Sequence, residues 1–425
     1  MSGFSHDRRY MAAAIRLSLT HLGQTSTNPS VGCIIVKDDR IVGRGVTALS
    51  GRPHAETEAL ADAGEQARGA TAYVTLEPCS HHGRTPPCAH ALVEAGIARV
   101  VVAVTDPDPR VSGRGLKILE DAGIAVTVGV LEQPARRALA YYLSRQTQKR
   151  PYVILKLAVS VDGMLGRAGA GQVRITGDRS RAVVHALRAE TDAILVGIGT
   201  ALADDPELTV RIPGLEARSP VRIVLDRRLE LPLTSKLVQT AQDVPVFLVT
   251  DGRSAEAGVP PSALPGISPS RGEIESGRAL ASADTSEIVE TIGVRALISP
   301  LEGEMSGRTE GGIETTNYSV DLTHRGAALR SAGVEIVQAT TLADLLMTLA
   351  VRGISSVLVE GGAATAKAFL DAGLVDRILL FQGPDKIGAD GIASPLTTAN
   401  IPDEFSRRGT KQFGADICTC FERAF

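Results

Sequence analysis

The stretch that decides the fold runs from Pro53 to Cys88. It opens with Pro53-His54-Ala55-Glu56 and closes with Pro78-Cys79-Ser80-His81-His82-Gly83-Arg84-Thr85-Pro86-Pro87-Cys88. One histidine and two cysteines can hold a zinc ion with three protein ligands. A fourth position then stays open for water, the layout of a catalytic rather than a structural zinc site. His54, Cys79 and Cys88 are therefore the candidate metal ligands. Glu56 follows His54 by two residues. If a helix begins at His54, both side chains can face one pocket, and a carboxylate beside the metal is a natural proton shuttle for hydrolysis. A lone His or Cys is more often a surface residue or a buried thiol; the whole constellation at this spacing outweighs that bland reading.

The surrounding chain alternates strands and helices. A helix is expected over 6–21, a turn at Asn28-Pro29-Ser30-Val31-Gly32, and a hairpin from 33–36 into 41–46. The helix starting at His54 runs to about 63. A strand over 70–76 delivers Glu77-Pro78-Cys79 at its carboxyl end, where catalytic groups collect in open α/β sheets. Helices over 88–95 and 115–122 flank a strand over 99–104, and a strand over 125–130 follows. This β-α-β-α-β order predicts a three-layer α/β domain. Read alone, Asn28 is a turn-forming residue before Pro29 or a group that bonds a base edge.

The pattern H-x-E followed by P-C-x-x-C marks zinc nucleobase deaminases. The first half fits here and the second departs, since eight residues separate Cys79 from Cys88. The form H-A-E, then P-C-x-H-x-G-x-T-P-P-C, resembles the deaminase domain of the bifunctional riboflavin-biosynthesis deaminase/reductase family. That resemblance implies a cytidine-deaminase-like fold with Asn28 at the pyrimidine pocket. It also implies substrate contacts from Asp106, in the turn before Pro107-Asp108-Pro109, and from His81 and Arg84 between the cysteines. Where the family often has Asn in that turn, this chain has Asp108, which accepts but does not donate.

A helix over 134–146 leads into Thr147-Gln148-Lys149-Arg150-Pro151, a polar, Pro-terminated boundary. The domains are therefore expected at 1–148 and 149–425. Beyond the boundary come a strand over 152–158, a tight turn at Ser160-Val161-Asp162-Gly163, a helix over 179–190 and strands over 193–196, 221–225 and 244–249. A strand over 356–359 ends in Glu360-Gly361-Gly362 before a helix over 363–372. Two glycines between a strand and a helix start either expose N–H groups to an anion or allow close helix packing. No G-x-G-x-x-G follows a strand, so a Rossmann domain is not indicated.

K-L-A-x-S-x-D-G at 156–163, G-x-x-T-x-L-x-D-D-P-x-L-T-V-R at 197–211 and E-G-G at 360–362 resemble the reductase domain of the same family. The resemblance implies a dihydrofolate-reductase-like α/β fold with an NADPH site lined by Ala158, Thr200, Asp204, Gly361 and Gly362. Gln172, Arg188, Leu208, Arg211 and Glu360 correspond to substrate-contacting positions, and Lys156 and Asp204 are the polar pair expected near the reacting sugar. Where the family carries an aromatic beside the nicotinamide, this chain has Arg174, which replaces the ring or reaches a phosphate. Between 251 and 318, 24 of 68 residues are Gly, Pro or Ser and periodicity is poor apart from a possible β-α fragment at 286–298. That pattern predicts a flexible insert without chemistry.

Composition narrows the partners. The net charge of −3 draws no nucleic acid, and 3% aromatics with no Trp leave few platforms for stacking bases. No run of 18 apolar residues predicts a transmembrane helix, and charged residues interrupt the N-terminal apolar run, so it reads as an amphipathic helix rather than a signal peptide. Five cysteines, two of them ligand candidates, suit a reducing cytoplasm. Cys418-Thr419-Cys420 reads as structural or incidental. The expected cofactors are Zn2+ and NADPH. The expected activity is deamination of a diaminopyrimidinone ribosylamino phosphate, then reduction of its ribosyl group. The resemblance also implies a homo-oligomer associating through the reductase domain. Three rivals stay open: a deaminase whose second domain only binds, a nucleic-acid deaminase, and a binding protein with a structural zinc.

Overall fold

The computed structural model describes residues 2–80, 86–109, 111–167, 169, 171, 173–251 and 324–423. His81, Arg84, Gln172 and nearly all of the predicted insert, including 286–298, lie outside the described residues. The chain forms two compact units that part after Arg150.

The first unit holds a sheet of five described strands in the order β2-β1-β3-β4-β5: β1 Gly32–Lys37, β2 Arg40–Val46, β3 Thr71–Leu76, β4 Arg99–Val104 and β5 Ala125–Val128. β1 pairs antiparallel with both β2 and β3, while β3, β4 and β5 are parallel. Strands β3 and β4 are buried almost end to end, as strands covered by helices on both faces must be. Strand β2 instead carries glycine where a helix needs to come close. A Cβ on Gly45 would lie 2.0 Å from the carbonyl oxygen of Ala55, so the helix Ala55–Ala63 packs directly on the strand backbone. The first helix, Ser2–Ser18, ends in a 3-10 turn at Leu19–His21. It is anchored by Asp7, which takes two hydrogen bonds from Arg99 (2.8 and 2.7 Å) and one from Tyr73 (2.9 Å).

Several bounds shift by a few residues from expectation, and two helices differ in a way that bears on the site. His54 is not the first residue of its helix; it is the extended N-cap (φ −76°, ψ 160°), and the helix begins at Ala55. The helix expected over 134–146 is two helices, Glu132–Ala138 and Ala140–Thr147, that meet at Leu139.

The second unit contains β6 Tyr152–Val159, β7 Met164–Arg167, β8 Ala193–Gly197, β9 Val221–Leu225, β10 Val246–Thr250, β11 Val334–Gln338, β12 Ser356–Val359, β13 Arg377–Gln382, β14 Gly391–Ala393, β15 Phe405–Phe413 and β16 Asp416–Arg423. Nine of these described strands make one sheet, ordered β11-β10-β9-β8-β12-β6-β13-β16-β15. From β11 to β13 the sheet is parallel; β16 and β15 add an antiparallel edge. All eight residues of β6 are buried, Lys156 among them. Late in the chain β12 returns to lie between β6 and β8, which brings Glu360-Gly361-Gly362 beside the ends of those two strands. Cys418 and Cys420 are buried on β16, consistent with a structural reading. The S-x-D-G turn is also structural: Asp162 accepts the Ser160 hydroxyl (2.5 Å) and the amides of Ile387 and Gly388, tying two loops together.

Candidate active sites

In the first unit the packing of the Ala55–Ala63 helix against β2 sets His54 and Glu56 opposite the carboxyl end of β3. The helix Cys88–Glu94 brings the second cysteine from the other side. His54 Nδ1 stands 3.6 Å from Cys79 Sγ and 3.4 Å from Cys88 Sγ, and the backbone N–H of Cys88 donates to Cys79 Sγ at 3.3 Å. The three ligand atoms lie within 4.8 Å of one another. With Zn–N about 2.0–2.1 Å and Zn–S about 2.3 Å, a tetrahedral site has ligand-to-ligand edges of about 3.5 Å, so this donor set fits zinc. Hydrogen bonding from Cys88 and His54 holds the Cys79 thiol down at about 4, so a thiolate is already favoured there.

Glu56 is only 4% exposed. Burial, aided by the charge of Cys79, pushes its carboxyl up to about 7. His54, Cys79 and Glu56 line one cavity of about 170 Å³, whose walls also include Asn28, Asp106, Asp108, Tyr142 and Arg145. The geometry thus brings Asn28 and Asp106 to the metal cluster. Asp106 is itself heavily engaged: one oxygen accepts from the Asp108 N–H (2.9 Å), and both lie within hydrogen-bond distance of the Tyr142 hydroxyl (2.9 and 3.1 Å).

Sequence reasoning passed over two important groups here. Glu77 buries its carboxylate against four backbone N–H groups, those of Asp106, Gly113, Gly115 and Leu116, at 3.0–3.4 Å. It clamps the 106–116 segment to the end of β3, and its place directly before Pro78-Cys79 was the only sequence signal for it. Tyr142 and Arg145 come from the last helix before the boundary, whose polar pattern gave no hint that it walls the cavity.

In the second unit the charged groups gather around β6 and the end of β12. Arg188, from the helix Asp178–Glu190, makes a two-bond ion pair with Glu360 (Nε to Oε1 2.9 Å, Nη2 to Oε2 3.2 Å) and donates to the Thr209 carbonyl at 3.1 Å. Lys156 lies 5.9 Å from the Phe381 ring centroid, and burial pulls its ammonium down to about 8. Lys156, Ala158, Glu360, Gly361 and Gly362 line one small cleft. The Thr200 hydroxyl accepts the Gly362 N–H at 3.2 Å, so the motif after β8 supports the glycine loop directly.

Leu208 is buried in a left-handed conformation (φ 55°) just before Thr209. Arg211 is exposed, paired with Glu207 at 3.4 Å, and its N–H meets His185 Nδ1 at 3.2 Å. His185, unmarked by any motif, has its imidazolium disfavoured by burial and by Arg188 and Arg211, down to about 4. Asp204 is half-buried at the end of the helix Ile198–Asp204. Arg174 is more than half exposed and ion-pairs with Asp178 at 2.8 Å; it is not among the residues lining the Lys156 cleft.

Comparison with known proteins gives both units a class. Residues 4–104 match the cytidine and deoxycytidylate deaminase zinc-binding region, and residues 151–263 with 313–419 match the RibD C-terminal domain. Two curated relatives, each a riboflavin biosynthesis protein RibD, are 36% identical: that of Aquifex aeolicus (98% of this chain, 98% of the relative) and that of Escherichia coli K12 (97% and 98%). A solved structure, Acinetobacter baumannii RibD, form 2, superposes with a TM-score of 0.74 at 33% identity, covering all of both chains.

The fold and site therefore define a zinc-binding deaminase joined to an α/β reductase. The chain belongs to the RibD family of bifunctional deaminase/reductases of riboflavin biosynthesis.

Proposed function

We propose that the first domain, 1–148, hydrolytically deaminates 2,5-diamino-6-(5-phosphoribosylamino)pyrimidin-4-one. The second, 149–425, then reduces the ribosyl group of 5-amino-6-(5-phosphoribosylamino)uracil to ribityl with NADPH. A solved Thermotoga maritima relative, 29% identical over 99% of both chains with a TM-score of 0.74, is titled a diaminohydroxyphosphoribosylaminopyrimidine deaminase / 5-amino-6-(5-phosphoribosylamino)uracil reductase. The observation that carries the reading is the joint lining of one cavity by His54, Cys79 and the buried Glu56.

Zinc, when bound by His54, Cys79 and Cys88, supplies Lewis acidity at the attacking water. Glu56 takes a proton from that water and hands it to the departing ammonia. Its perch near neutrality suits both steps, since a group whose two states are close in energy works as acid and as base. Asn28 and Asp106 hold the pyrimidine, with Asp106 kept in place by Tyr142, and His81 and Arg84 serve the phosphoribosyl end.

NADPH, when bound, would supply the hydride in the second domain. Lys156 and Asp204 attend the sugar carbon that receives it, and the Lys156 ammonium is the proton source. Arg188, Leu208, Arg211, Glu360 and Gln172 position the substrate. Ala158, Arg174, Thr200, Gly361 and Gly362 hold the cofactor, and a homo-oligomer forms through this domain.

The test is coupled. Zinc-loaded protein and the diaminopyrimidinone ribosyl phosphate are followed for ammonia release and NADPH oxidation together. Both signals are expected. Ammonia without NADPH oxidation reduces the reading to a deaminase, and silence in both with one zinc per chain sinks the substrate assignment.

A further inference from the structure

The segment 207–211 includes Leu208 and Arg211, both assigned above to the substrate, and side chains from elsewhere grip its backbone almost residue by residue. Arg222 donates to the Glu207 carbonyl (3.2 Å), and the Ser219 hydroxyl accepts the Val210 N–H (3.0 Å). Two further grips come from one face of the helix Asp178–Glu190, since His185 and Arg188 stand three residues apart there. Arg188 holds Glu360 and the Thr209 carbonyl, while His185 Nδ1 accepts the backbone N–H of Arg211 at 3.2 Å. Between these holds Leu208 keeps its left-handed backbone, which costs a leucine energy unless its neighbours fix it.

The Arg211 side chain has no comparable anchor in its ion pair with Glu207. That pair is exposed on both sides (57% and 42%), the kind that contributes little. The direction in which the guanidinium leaves the chain is therefore set by the backbone at 211.

Resting on the reductase reading above, we propose that His185 is a positioning residue for substrate binding: as a neutral acceptor it fixes the Arg211 backbone and so presents the Arg211 guanidinium to the substrate. An imidazole nitrogen accepts an N–H only when it carries no proton itself, so the neutral ring bears its proton on Nε2. The surroundings keep it neutral. Burial, with the charges of Arg188 and Arg211, holds the imidazolium down to about 4, against the opposing pull of Glu360 and the Thr209 backbone. A ring that stays neutral at pH 7 is suited to be a fixed acceptor rather than a proton carrier.

The test is steady-state reduction of the deaminated substrate by the full chain with NADPH. It compares the natural protein with His185→Phe, His185→Asn, Arg211→Gln and the His185→Phe/Arg211→Gln double variant. Phenylalanine keeps a ring and loses the acceptor; asparagine loses the ring and offers an amide oxygen near the Nδ1 position. His185→Phe should raise the substrate KM about three- to tenfold, with kcat within about twofold. An unchanged KM for NADPH shows that the second unit is folded. His185→Leu, which also lacks the acceptor, takes the place of His185→Phe should that variant fail to fold. His185→Asn should bring KM back to within about twofold of the natural value. In the Arg211→Gln background His185→Phe should add nothing, because the acceptor acts through Arg211. A natural KM in His185→Phe, an asparagine variant as weak as the phenylalanine one, a loss carried by kcat, or additive effects with Arg211→Gln overturns the proposal. If the natural protein oxidises no NADPH, the reductase reading fails and this inference falls with it.

Discussion

Arg188 and Glu360 are locked together inside the second unit by two parallel hydrogen bonds, with side chains only 6% and 3% exposed. They lie 172 residues apart in the chain, so the pair staples the helix Asp178–Glu190 to the end of β12. Removing one partner strands the other charge. Arg188→Met should therefore cost about 3–5 kcal/mol, while adding Glu360→Leu should recover part of that loss. Urea unfolding of both variants measures this, and a single variant as stable as the parent would show that the pair bears no structural role.

Lys156 gives a pH signature. Burial lowers its pKa from 10.5 to about 8. Between those values the unfolded chain binds more protons than the folded one, so stability should rise with pH across that window. Below 8 both states are protonated and the cost of burying the charge is fully present. Lys156→Met should accordingly be more stable than the parent at pH 7, by about 1–3 kcal/mol, with the gap closing towards pH 10.5. The reductase rate should fall above about pH 8, where Lys156 loses the proton it donates. Thermal melts and NADPH oxidation at several pH values check both halves.

Glu56→Gln preserves shape and removes the base. Zinc content should stay at one per chain while ammonia release drops about 10²–10⁴-fold. Zinc analysis beside a deaminase assay decides it; turnover within a few-fold of the parent would remove Glu56 from the chemistry.

Chelation should separate the two activities. Stripping zinc from His54, Cys79 and Cys88 should abolish ammonia release, yet leave reduction of an already deaminated substrate unchanged, since no group of the metal cluster belongs to the second unit. Loss of both rates together on chelation would contradict this, and readdition of zinc should restore the first.

Gly115 tests how the deaminase site is held. A Cβ there would lie 2.0 Å from the Pro78 carbonyl oxygen and 3.2 Å from the Glu77 carboxylate. Gly115→Ala should push the 106–116 segment away from β3, destabilising by about 1–3 kcal/mol. Deaminase activity should fall further than the loss of folded protein explains, because Cys79 and Asp106 hang on the same clamp. Calorimetry and activity per folded molecule provide the comparison.

Much of this was legible in the chain. His54, Glu56, Cys79 and Cys88 could be read as one site because zinc chemistry restricts the ligand types and the linear motif carries all four. The five strands of the first sheet and five of the nine in the second, β6, β8, β9, β10 and β12, showed as apolar runs between turns; β11, β13, β15 and β16 did not. The helix bounds shifted by a few residues, most tellingly at His54, where a cap replaced a first helical residue because the side chain must turn back towards the cysteines.

The rest came from long-range geometry. Nothing in the periodicity says that Glu77 would gather four amides from a loop some 30–40 residues on, that Tyr142 would hold Asp106, or that Arg188 would meet Glu360. Those contacts depend on strand order, above all on β12 returning between β6 and β8, and a chain read locally does not encode which strands become neighbours. Arg227 and Arg228 show the same limit. In sequence they are two basic residues after a strand. The sheet sets them on a cavity wall, and the backbone turn that follows engages the Asp226 carboxylate. By itself, then, the sequence determined which atoms can do the chemistry, because residue type and short spacing set ligand and proton-transfer capacity. Only the tertiary structure decided which of them are buried, paired or left facing a ligand, because desolvation and partnering depend on neighbours brought from far along the chain.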